Sequence, residues 1–114
     1  MVNQANSELS HTEICLYLDF YGQLLTSHSR EVLELYYGDD LSLSEIAEAL
    51  GITRQAVHDR LRQGARSLDE YEKALGLLTR FKSTRQALQQ AIEAIDGGHS
   101  DQARTILSQL ETDL

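Results

Sequence analysis

The sequence predicts an all-α protein on three observations: it contains no proline, its apolar residues recur at three- and four-residue spacing along most of its length, and it carries one bipartite helical motif. That motif is the stretch Leu41 to Arg66, LSLSEIAEALGITRQAVHDRLRQGAR, two helices split by a tight turn. A chain of 114 residues is one domain's worth and buries roughly two thirds of its unfolded surface. With 41% apolar and 25% charged residues it has the balance of a soluble, ordered helical protein.

The first helix is expected from near Ser10 to Leu25. Ser10 and Glu13 form a capping-box pattern, and Ile14, Leu18, Tyr21, Leu24 and Leu25 line one face, widened by Cys15, Tyr17 and Phe20. A stripe this broad packs on two neighbours or meets a partner chain. Thr26 caps a second helix that runs to Tyr37 and stops at Gly38, and Asp39 and Asp40 make the following loop by turn chemistry.

Ser42 begins the motif. Its hydroxyl caps the next helix while Glu45 reaches back to the cap's own N–H. Leu43, Ile46, Ala47 and Leu50 point inward, and Glu45 and Glu48 stay wet. Gly51 supplies the positive φ that ends this helix, Ile52 tucks into the core, and Thr53 caps the second helix. There Ala56, Val57 and Leu61 face inward, while Arg54, Gln55, His58, Asp59 and Arg62 share the outward face. No stop signal follows Gly64, so one long helix is expected to about Thr79. The glycine costs about 1 kcal/mol relative to alanine there, which suggests close packing on the N-terminal helix or a slight bend; a break is the alternative. Two more helices, Ser83 to Ile95 and Ser100 to about Leu110, form a hairpin across Asp96-Gly97-Gly98-His99. Ala87, Leu88, Ala91, Ile92 and Ile95 are expected to face Ala103, Ile106, Leu107 and Leu110. The domain organisation is then a helix-turn-helix domain over 1–80 and a terminal hairpin over 81–114 packed on the same unit.

Charge is distributed unevenly. The net charge of −8 is the wrong sign for an unaided polyanion binder. Residues 54–85, however, hold eight of the ten basic side chains against four acidic ones, a local net of +4, and the remainder carries −12. Such polarity favours oriented docking over loose coating.

Other chemistry finds little support. The four histidines are spread over separate elements, and only His11 and Cys15 share a helix face at i, i+4. Two ligands do not make a zinc site. With no phosphate loop or nucleophile elbow, no enzyme activity, metal or cofactor is expected. The lone Cys15, the absence of a leader at MVNQANSELS and the lack of a long apolar run point to a cytoplasmic protein without membrane contact.

The helix-turn-helix from Leu43 to Leu61 resembles that of sigma-factor region 4. The longer stretch LLTSHSREVLELYYGDDLSLSEIAEALGITRQAVHDRL, followed by SLDEYEKALGLL, resembles the YlxM family of small bacterial proteins over residues 14 to about 80. That resemblance implies a sigma-region-4-like fold with an extended recognition helix and a C-terminal helical hairpin. It also implies a DNA-binding or regulatory role linked to the signal recognition particle. The expected partners are DNA or the particle's RNA, its protein components, and a second copy of the chain. The candidate contacts are Thr53, Arg54, Gln55, His58, Asp59, Arg62 and Arg66, with Arg54 at the helix start first for guanine or phosphate, Gln55 for adenine, Thr53 for phosphate as well as the cap, and His58 and Arg62 one and two turns on. Asp59 departs from the sigma-like pattern, in which a neutral or basic residue is common at that place; it can accept from cytosine but repels the phosphate backbone. The alternative is a protein-interaction module whose repurposed helix-turn-helix docks on a signal recognition particle GTPase or RNA polymerase.

Overall fold

The computed structural model describes residues 10–114. Six α-helices follow in order: α1 His11–Tyr21, α2 Ser27–Leu33, α3 Leu43–Leu50, α4 Arg54–Leu75, α5 Leu77–Asp96 and α6 Ser100–Asp113. They fall into two compact units, one ending at Gly76 and the other running from Leu77 to Leu114.

The helix starts in the first unit are written in hydroxyls. Ser10, Thr26, Ser42 and Thr53 each accept a backbone N–H three residues on, at 3.0 to 3.2 Å. Ser10 and Ser42 complete capping boxes with Glu13 and Glu45. Such caps satisfy N–H groups that the helix itself leaves orphaned.

Helix ends depart from the periodic reading in three places. The first helix tightens after Tyr21 into a 3₁₀ turn, Gly22–Leu24, which carries Leu24 outward to 54% exposure. The second widens after Leu33 into a π turn, Glu34–Gly38, closed by the Asp39 N–H on the Glu34 carbonyl at 3.1 Å. Asp40 then takes a left-handed φ of 58°, which a short side chain able to bond its own backbone tolerates. The long fourth helix stops at Leu75 rather than Thr79, because Gly76 adopts φ 65° and ends it in a left-handed cap. The next helix accordingly starts at Leu77 rather than Ser83.

Packing of the first unit centres on α4. Val32, Ile46, Ala47 and Val57 are its buried nucleus, with Leu35, Tyr36, Leu41, Leu43, Leu50, Ile52 and Leu61 packed around them. From α1, Ile14, Tyr17 and Tyr21 are buried, as is Leu25, so the broad stripe of that helix serves as core. Two tyrosine hydroxyls fix α4 laterally: Tyr21 donates to Glu72 at 2.6 Å, and Tyr71 donates to the Leu24 carbonyl at 2.9 Å. Gly64 neither breaks nor ends α4. A Cβ there would sit 2.6 Å from Leu33 Cδ1 and 3.4 Å from Ser29 Cβ, so the glycine admits α2, not α1, against the long helix.

The second unit is a helical hairpin whose tight seam is built from alanines. Ala91, Ala94 and Ala103 are buried, with Ile106 partly so. Contrary to the expected facing sets, Leu88, Ile92, Ile95 and Leu107 are 42 to 57% exposed. Small side chains let two helices approach closely, and the large ones are then turned away from the contact.

Candidate nucleic-acid interface

The turn between α3 and α4 is set by backbone geometry. Gly51 has φ 69° and donates to the Ala47 carbonyl, and the Ile52 N–H reaches the same oxygen at 3.0 Å. Ile52 is thereby drawn into the nucleus, and Thr53 is left extended at the start of α4, its hydroxyl accepting the Ala56 N–H at 3.0 Å. Three residues thus reverse the chain, with a hydrophobic anchor at their centre.

The fourth helix then divides by face. Val57, Gly64 and Leu68 are buried. At 3.6 residues per turn Gln55, Asp59, Arg62 and Arg66 lie opposite that stripe, with His58 on one flank and Arg54, in the first turn, closer to the stripe on the same side. All six are exposed, as is Thr53. The basic Arg60 does not join them, since it is half-buried near the inward edge.

Within this face the polar groups are organised. The Gln55 side-chain amide donates to Asp59 Oδ1 at 2.9 Å, and His58 Nδ1 stands 3.9 Å from the same oxygen. Asp59 therefore holds Gln55, which has to release it before meeting a base, while His58 stands beyond hydrogen-bond reach of it. Among the described residues Arg54, Arg62 and Arg66 make no ion pair; Lys73, further along, is held by Asp69 at 3.0 Å. Arg62 and Arg66 are one turn apart, an i, i+4 pair of like charges that disfavours the helix by a few tenths of a kcal/mol.

His11 and Cys15 converge on neither a metal nor this face. The His11 ring packs on Tyr37 with centroids 5.4 Å apart, and Cys15 Sγ lies 3.9 Å from the Tyr37 carbonyl oxygen. Among the described residues no cluster of three histidine, cysteine or acidic side chains has ligand geometry, and no helix is long and apolar enough to cross a membrane.

Several positioning residues escaped the pattern reading. Glu72, Tyr21 and Tyr71 hold α4 by contacts 47 to 51 residues apart in sequence, for which no local spacing is a signal. Ser29 and Leu33 cradle Gly64; the isolated glycine itself was the visible half of that pair.

Two helices at a three-residue turn, the second with a capped start and a polar outer face, define a helix-turn-helix protein. The chain belongs to the YlxM / p13-like helix-turn-helix family UPF0122, whose profile matches residues 9–109. It is 46% identical over 91 residues to the UPF0122 protein of Desulforamulus reducens, covering 80% of this chain and 78% of that relative. The UPF0122 protein of Halalkalibacterium halodurans is 43% identical over 95 residues, 82% of this chain and 87% of its own. That of Symbiobacterium thermophilum is 40% identical over 100 residues, covering 88% and 94%.

Proposed function

We propose that the protein is a non-enzymatic nucleic-acid-binding factor that lays the outer face of α4 against a phosphate-lined groove. One observation carries this reading: in a chain of net charge −8, three arginines, Arg54, Arg62 and Arg66, stand exposed on the solvent side of the second helix of a helix-turn-helix and have no acidic partner among the described residues. Arg54 is assigned to phosphate or guanine at the helix start, Arg62 and Arg66 to the groove walls, and Thr53 to phosphate. His58 and the Gln55–Asp59 pair read base edges once the pair opens. The family resemblance supports a ligand within the signal recognition particle pathway, either DNA or the particle's RNA, and action in the cytoplasm.

About three phosphate contacts per copy predict a shallow salt slope near −3 and weak binding by a single copy. In fluorescence anisotropy, Arg54→Ala with Arg62→Ala is expected to weaken binding by about 1 to 3 kcal/mol per base-contacting residue and to flatten the salt slope by about one per phosphate lost. A parent that binds neither duplex DNA nor the particle's RNA at low salt ends this proposal.

The second reading, an interaction module for a signal recognition particle protein or RNA polymerase, draws on the Gln55–Asp59 bond, which ties up the side chain assigned to adenine. A pull-down from extract separates the two: partners lost on nuclease treatment favour the groove reader, and partners retained favour the module.

A further inference from the structure

The hairpin leaves its bulkiest apolar side chains outside. Along α5, Phe81, Arg85, Leu88, Ile92 and Ile95 follow one another at spacings of four, three, four and three, the seam pattern of a helix that pairs with another helix. Leu88, Ile92 and Ile95 are 43, 57 and 55% exposed. The same helix has a second, smaller seam, Ala91 and Ala94, and α6 covers that one through Ala103. The hairpin is therefore complete on its alanine side, and a continuous leucine and isoleucine stripe about two turns long remains beside it.

The charges on α5 indicate what covers the stripe. Its N-terminal half carries Arg80, Lys82 and Arg85 and no acid, and its C-terminal half carries Glu93 and Asp96 and no base. That gradient opposes the helix's own dipole, which favours acids at the start and bases at the end, so in a lone helix it is mildly unfavourable. A second copy of the same helix laid antiparallel reverses the balance. With the two-fold axis at the level of Gln90, Leu88 of each copy meets Ile92 of the other, and the basic first half of each lies on the acidic second half of its mate. A parallel arrangement sets like charges side by side along the whole seam.

We infer that this face of α5 is the interface of a two-fold symmetric, antiparallel homodimer, which joins two helix-turn-helix units in one particle. The interface is isologous, as closed dimers are. It involves none of the residues assigned above to nucleic acid, so its test is independent of that reading.

Sedimentation of the full-length protein without nucleic acid is expected to show a monomer–dimer equilibrium in the micromolar range. Leu88→Glu with Ile92→Glu is expected to weaken it by about tenfold or more, with helicity and thermal unfolding retained because both side chains are already solvent-facing. Orientation is read separately, in a Cys15→Ala background, with a short bifunctional maleimide. Gln89→Cys, near the axis, is expected to cross-link between copies. Ser83→Cys is not, since seven residues from the axis on each helix separates the two thiols by about 21 Å along the seam. A protein that stays monomeric throughout the micromolar range overturns the inference, and so does a dimer indifferent to the double substitution. Cross-linking of Ser83→Cys as readily as Gln89→Cys overturns the antiparallel arrangement.

Discussion

The two units build their main helix contacts from different sizes of side chain. In the helix-turn-helix unit the fully enclosed residues are large, Ile14, Tyr21, Leu33, Ile46 and Leu68 among them, and the glycine at the α2–α4 contact exists to bring them together. In the hairpin the enclosed cluster is Ala91, Ala94 and Ala103; Leu78 at the start of α5 is buried as well, whereas Leu88, Ile92, Ile95 and Leu107 lie at the surface. Burying a large aliphatic side chain is worth roughly 1.5 to 3 kcal/mol, and a methyl group about a third of that. The first unit therefore holds its stabilisation internally, whereas the hairpin keeps most of its apolar surface for a neighbour.

The sharpest way to break that contrast is to shorten an isoleucine in each unit. Ile46→Ala is expected to cost about 2 to 5 kcal/mol, and Ile92→Ala less than about 1 kcal/mol in dilute solution where copies are apart. All five tyrosines, at positions 17, 21, 36, 37 and 71, lie in the first unit, so tyrosine fluorescence during urea unfolding reads Ile46→Ala, and far-UV circular dichroism, which registers the helices of both units, reads Ile92→Ala. Similar losses at the two sites would show that the hairpin stripe is core after all.

A smaller effect is expected at the contact that admits the large side chains. Gly64→Val places new carbons inside the space of Leu33, whose side chain is fully buried, and overpacking of this kind costs about 1 to 3 kcal/mol. If urea unfolding shows no loss, the α2–α4 approach is looser than the geometry implies.

Caps extend the comparison. Thr53→Ala removes a bond to the Ala56 N–H and is expected to lose about 1 kcal/mol. His99, at the start of α6, makes no side-chain cap bond, so His99→Ala is expected to leave stability within about 0.5 kcal/mol. Thermal melts of the two variants decide whether hydroxyl caps contribute in the first unit as drawn.

The least effect is confined to alkaline solution. Burial, followed by the nearby carboxylates of Glu72, Glu13 and Asp69, raises the Tyr17 hydroxyl above its ordinary pKa of 10.0. Above pH 10 the unfolded chain loses this proton more readily than the folded one, so folding stability is intact below that pH and declines as pH rises towards the folded pKa. Tyr37, raised mainly by burial and then by Tyr36 and Cys15, acts in the same direction. Tyr17→Phe is expected to shallow the decline above pH 10, and an unchanged slope in urea titrations at several alkaline pH values would remove Tyr17 from the account.

Much of the helix-turn-helix was legible because its determinants are local. A capping box spans four residues, the Gly51 turn three, and the inward stripe of Val57 and Leu61 repeats within one helix, so short windows contain the whole signal. The outward placement of Arg54, Arg62 and Arg66 follows from the same periodicity. Gly76 shows the limit of that logic: the apolar repeat runs through Leu75 to Leu78 without interruption, and only the left-handed backbone at Gly76 separates two helices there.

By itself, then, the sequence determined the all-helical class, the four hydroxyl-capped starts, the reversal at Gly51 and the basic outer face of α4, since each depends on residues within about one or two helical turns. The tertiary structure alone decided which apolar stripes become core. Leu24 and Leu75 keep helical spacing yet are exposed, and α5 presents alanines to α6 while its isoleucines turn away. Periodicity places side chains on a face, but whether a face is covered depends on how closely a neighbouring backbone approaches. That distance is set by small residues such as Gly64, Ala91 and Ala103 meeting partners far away in the chain.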